Sequence, residues 1–180
     1  MKNFIIFAAL ALVVASIPVN TFAAKSEADS PVSPVVDYIY EVRLAYGSCN
    51  LASHTSILNA ELEAAKSGDD AQYDFSRTYA CRKVQGAVVT QKLKGALKEA
   101  AKDKPLTEAI IKLQRYWVVV MTSSTIPSAS DSESSFKQKG VDANQTLKEM
   151  GNNVLSTYCK NDFNCIDEKG EKLNGFDGVL

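Results

Sequence analysis

The stretch "PVVDYIYEVRLAYGSCNLASH", Pro34–His54, decides how the rest of the chain is read. Val35, Ile39, Val42, Tyr46 and Cys49 recur at steps of four and three, which is the spacing of one face of an α-helix. Pro34 stands at the start of this run, where a proline is tolerated because its missing N–H had no helical partner. The stripe continues less cleanly through Leu51, Leu58, Leu62 and Ala65, until "SGDD" at 67–70 stops it. Gly47 on that helix allows a bend or a close neighbour.

The same stretch poses a chemical question. It holds a cysteine and, five residues on, the only histidine of the chain. On a helix five residues turn by about 500°, which leaves the two side chains about 140° apart. Only neighbours three or four apart meet, so Cys49 and His54 cannot act as a pair within one helix.

Working outward, three more amphipathic segments follow. A second helix is expected to start near Asp69 or Asp70, with Phe75, Tyr79, Val89, Leu93, Leu97 and Ala100 on its apolar face and "KDKP" at 102–105 ending it. A third, about Leu106 to Thr125, carries Leu106, Ile110, Leu113, Trp117 and Val120. A fourth carries Phe136, Val141, Leu147, Met150, Val154 and Tyr158. Nothing alternates with the period of strands. Four amphipathic helices with short polar connections imply an all-α fold, an antiparallel up-down-up-down four-helix bundle over residues 34–158. Residues 159–180 are glycine-rich and are expected to form an irregular C-terminal segment.

The N-terminus has the order of a secretory signal: Lys2, an apolar run from Phe4 to Ile17, Pro18, then small residues to Ala23. Cleavage after Ala23 is expected, followed by a flexible stretch at 24–33. The apolar run is shorter than the ~20 residues of a spanning helix, so no membrane insertion is expected after the signal is removed. The predicted location is the periplasm or the exterior. Cleavage would leave 19 basic and 21 acidic residues, a balance that fits neither a nucleic-acid binder nor a polyacid.

Cys49, Cys81, Cys159 and Cys165 all lie beyond the signal. An even count in an exported chain favours disulfides. With helix one ending near 65 and helix two starting near 70, residues at equal depth sum to about 135. Cys49 and Cys81 miss this by about 7 Å at 1.5 Å per residue, which shifted helix ends would absorb. His54 and Cys81 match it better, and a Cys81 thiolate with His54 as base is a known nucleophilic arrangement. The compartment favours the Cys49–Cys81 bridge. Cys159–Cys165, separated by the turn formers Asn161, Asp162 and Asn164, is expected to clip the C-terminal segment to the bundle.

Several chemistries lack their residues. There is no Cys-x-x-Cys-His haem motif, and one histidine cannot supply the two Glu-x-x-His motifs of a di-metal bundle. No glycine-flanked serine nucleophile or phosphate-binding glycine loop occurs. No cofactor or metal is expected, and no enzymatic activity. The stretch "RYWVVVM", Arg115–Met121, is apolar on every side. It is either a central helix of the bundle or an exposed strip, with Tyr116 and Trp117 as anchors for a partner or a homodimer. The expected function is binding of another protein in the cell envelope, as an inhibitor or immunity-type factor. The alternatives are a carrier of a small apolar ligand between the helices and a Cys81/His54 enzyme.

Overall fold

The computed structural model describes residues 33–174, in the order α1 (Pro34–Ser67), α2 (Ser76–Glu99), a 3₁₀ turn (Ala100–Lys102), α3 (Lys104–Ser123), α4 (Glu133–Tyr158) and α5 (Phe163–Asn174). Residues 1–23, expected to be a secretory signal, and most of the stretch at 24–33 lie outside the described residues. α1 begins at the Ser33 cap, whose side chain accepts from the Val35 N–H, with Pro34 in the first turn. Gly68 ends it in the left-handed conformation that glycine adopts without a Cβ penalty.

The four long helices form the expected up-down-up-down bundle. Tyr38 and Tyr46 on α1 bond Gln114 and Ser124 on α3, so these two helices run in the same direction. Tyr46 also reaches Gly140, while Ile39 lies against Gly151, so α4 runs opposite to α1. A Cβ on Gly151 would stand 3.0 Å from Ile39 Cγ2, which shows how closely these helices cross. The core is built from Tyr38, Ile39, Tyr46, Ile110, Leu113 and Leu147, all fully enclosed. The α3 stripe read from sequence, Leu106 to Val120, is buried throughout.

At the lower end Glu99 ties three helices together. Its carboxylate accepts from the Ser33 hydroxyl, the Val35 N–H and the Tyr158 hydroxyl at 2.9–3.2 Å. A carboxylate at the first turn of α1 also complements the positive end of that helix. Alongside, Lys92 pairs with Asp37 at 2.7 Å, joining α2 to α1.

Two disulfides close the fold, Cys49–Cys81 and Cys159–Cys165. The first sets the register of the α1–α2 hairpin and explains the mismatch in the depth arithmetic. Residues at equal depth sum to 130, so α2 begins level with His54. α1 therefore overhangs α2 by about 20 Å at 1.5 Å per residue. α2 starts at Ser76 rather than near Asp70, and residues 69–75 run back along the overhang without helical structure. Here the structure corrects the apolar stripe of α1. Leu51, Leu58 and Leu62 are more than half exposed, because at about 100° per residue they lie on the far side of α1 from Tyr46 and Cys49, and the buried face continues instead through Ser53 and Ala60. Tyr79 on α2 and Val141 on α4 are likewise exposed.

The C-terminal segment is also corrected. The chain turns through Lys160 and Asn161, both at positive φ, and Phe163–Asn174 is a helix where irregular chain was expected. Asp162 starts it, its carboxylate accepting from the Asn164 N–H at 3.0 Å. The clip itself is as expected: Cys165 and Ile166 pack against the core, and α5 contacts α1 and α4.

Candidate functional site

Each sequence-predicted site residue has a definite place. Cys49 and Cys81 are bonded to each other, so the free thiol required by a Cys81/His54 nucleophile is absent from the oxidised protein. Trp117 is only 5% exposed and belongs to the core, so it is not a surface anchor; Tyr116 beside it is partly buried. The exposed apolar residues of α3 are Ile111, Val118 and Val119 instead. They share that face with Glu108, Lys112 and Arg115, which makes it a mixed helical exterior rather than an apolar patch.

The most developed surface feature is the seam between α1 and the first half of α4. Tyr46, Asn50, His54, Ile57 and Glu61 follow one another at steps of four and three, so they form a single stripe along α1. Glu133, Lys137, Gly140 and Asn144 do the same on α4, with Phe136 beside Lys137. Tyr46 and Ile39 hold the two helices close at Gly140 and Gly151, and two clefts open between their side chains, one beside Gly140 and one nearer the start of α4. The lower, about 520 Å³, lies among Tyr46, Asn50, Leu51, His54, Val141 and Asn144. The upper, about 350 Å³, is bounded by Ile57, Tyr73, Phe75, Pro127, Glu133 and Phe136. The His54 and Phe136 rings meet between them, with centroids 5.5 Å apart. The only histidine thus serves as part of a wall, with an aromatic neighbour and no thiol.

Local chemistry shapes both clefts. Tyr46 donates from its hydroxyl to the Gly140 carbonyl at 3.2 Å and shares a hydrogen bond with Ser124 at 3.1 Å, which holds the lower floor. Burial raises the Tyr46 phenol above its ordinary range. Asn50 lies over Gly140, and its side-chain oxygen is enclosed with no hydrogen-bond partner among the described residues. A buried acceptor left unpaired is costly, and a donor in the cleft would reach this oxygen only with a turn of the Asn50 side chain. Leu51 and Val141 form the lips of the lower cleft, 59% and 56% exposed.

The upper cleft is roofed by the α3–α4 connection. Asp131 organises that loop, accepting from Lys139 and from the Ser128 N–H and hydroxyl. The bond from Lys139, then those from Ser128, bring its carboxyl down to about 2. The Tyr73 and Phe75 rings stack across the segment that descends from the overhang, 6.3 Å between centroids.

Another cleft, about 420 Å³, lies on the opposite side of the overhang among Asn59, Glu63, Asp69, Asp74 and Arg77. It is polar, and among the described residues no group of three or more His, Cys, Asp or Glu side chains is arranged to hold a metal. Sequence reasoning missed the seam. Its signals were Asn50, His54 and Glu61 appearing as polar steps in an otherwise helical stripe, opposite Gly140.

No family model matches this chain, and no curated protein or solved structure is similar enough to it to count as a match.

Proposed function

We propose that the protein works outside the cytoplasm by holding a partner protein in the groove between α1 and α4. The observation that carries this reading is the lower cleft: two apolar lips, Leu51 and Val141, over a floor of Tyr46 and Asn50. Apolar contact area with a few placed polar groups is the composition of a recognition site. The stripe from Tyr46 to Glu61 is about 22 Å long at 1.5 Å per residue, the length of roughly four turns of helix. A helix lying in a groove between two helices is an established mode of peptide capture. The Cys49–Cys81 bridge and the Glu99 clamp hold the groove-forming helices below it, so its lower walls are preformed and less order is lost on binding. Two disulfides fit an oxidising compartment, and among the described residues no helix is long and apolar enough to cross a membrane.

The test is site-specific photo-crosslinking in the producing cell, from Leu51, from Val141, and from Val84 as an exposed apolar control on α2. The expected result is one discrete adduct shared by positions 51 and 141 and absent at 84. Added wild-type protein should compete it away, and an L51E/V141E variant should not. An adduct of twice the chain mass would identify the partner as a second copy. Equal adducts from position 84, or competition by the variant, would refute the groove.

A further inference from the structure

The upper cleft differs in chemistry from the lower one. Its walls are aromatic or apolar: Tyr73 and Phe75 stacked on one side, Phe136 and Pro127 on the other. Its rim carries three carboxylates, Glu61, Asp131 and Glu133. Asp131 is committed to Lys139 and Ser128. Glu61 and Glu133 make no hydrogen bond or ion pair among the described residues, and both are exposed. Lys139 of α4 is held on Asp131, and Lys137, one turn below Glu133, lines the lower cleft. The upper cleft thus keeps two carboxylates, Glu61 and Glu133, with no cation bonded to them among the described residues.

We infer that the upper cleft is a seat for an organic cation, a guanidinium or ammonium group carried on an apolar stem, presented as a side chain by the protein held in the groove. The reasons are complementary. A cation against the exposed Tyr73 ring is attracted by the ring quadrupole. Glu61 on α1 and Glu133 on α4 supply charge-assisted acceptors from two sides, a layout that suits the forked donors of arginine. The volume, about 350 Å³, accepts one long side chain with its stem. An anionic or purely apolar group would leave the two carboxylates facing it unpaired. The inference rests on the groove reading and specifies one residue class in the partner: a basic residue at the upper end.

The experiment uses the intact oxidised protein and three probes: N-acetyl-arginine amide, its uncharged isostere N-acetyl-citrulline amide, and choline. Binding is read from the backbone amide resonances of Glu61, Tyr73 and Glu133. The arginine amide should shift these resonances saturably, and citrulline amide should bind at least tenfold more weakly. E61Q/E133Q should lose the arginine amide by a similar factor while its far-UV circular dichroism stays unchanged. Equal binding of arginine and citrulline amides overturns the inference, and so does full binding by E61Q/E133Q. Choline binding without arginine amide binding assigns the cleft to a free small ligand and overturns the side-chain source. The two readings fail separately. If the arginine amide does not bind while the adducts at positions 51 and 141 form, only the cation seat falls. If it binds and no adduct ever forms, the groove reading falls and takes the partner assignment with it.

Discussion

The Cys49–Cys81 bridge should stabilise the fold more than the Cys159–Cys165 bridge, by an amount calculable from where each joins the chain. The first closes a loop of 32 residues and the second a loop of six. In the chain-entropy treatment these loops reduce the freedom of the unfolded chain by about 3.7 and about 2.2 kcal/mol at 25 °C. C49A/C81A should therefore lower the unfolding free energy by about 4 kcal/mol, and C159A/C165A by about 2. In a domain of this size the larger loss corresponds to a fall in Tm of roughly 10 °C. Two additions to the larger figure act in the same direction. Cys49 is fully buried, so removing its sulfur leaves unfilled volume in the core. The bridge also fixes the register in which α1 overhangs α2. The assay is equilibrium urea unfolding of wild type and both double variants under identical oxidising conditions, followed by far-UV circular dichroism. If C49A/C81A costs no more than C159A/C165A, loop closure is not what the long bridge contributes, and the reasoning is wrong.

Other predictions follow from single contacts. Gly151→Val should destabilise the fold by about 2 kcal/mol or more, because even a Cβ meets Ile39 at 3.0 Å and the added methyls have less room. Gly86→Ala, where a Cβ meets nothing within 4 Å, should stabilise it by about 0.5–1 kcal/mol. Thermal melts of the two variants check both signs. Tyr46→Phe removes the hydroxyl that joins α1 to Gly140 and Ser124, and should cost about 1–2 kcal/mol in urea unfolding. Asp131 gives a pH signature. Its carboxyl is held at about 2 against an ordinary 3.8, so its contribution is present above the unfolded value and is lost as pH falls through about 2. D131N should be less stable than wild type at pH 7, and the gap should close below pH 2, as read by melts across that range.

The bundle was legible because its signals are local. The α3 stripe from Leu106 to Val120 is buried in full, since α1, α2 and α4 all pack against α3 and the spacing marks the face they cover. The upper half of α1 shows the opposite case. Leu58 and Leu62 are exposed because they lie about 120° and 160° around the helix from Tyr46, while the buried face runs on through Ser53 and Ala60, small residues that carry little apolar signal. The start of α2 was also hard to place. Residues 69–75 hold aspartates that can cap a helix, but the start fell at Ser76, where Asp74 accepts from the Ser76 N–H. The same local reading hid α5, whose Asp162 looks like a turn former and acts as the starting residue of a helix. The groove was least legible of all. It lies between the side chains of α1 and α4, and that is a property of two segments some 80 residues apart, fixed by close packing at Gly151 and Gly140.

The bridge between Cys49 and Cys81 also decides what a protease can achieve at the exposed end of the hairpin. A single cut anywhere from Asn50 to Ala80, including the turn at Gly68, leaves both pieces covalently joined. The mass changes by one water, and a nonreducing gel shows one band. Each piece stays anchored to the bundle by its own half: Val35–Cys49 through the buried face of α1, and Cys81–Glu99 through Val89, Ala96 and the Glu99 carboxylate. The overhang is thus a place where the backbone can be broken and the molecule kept.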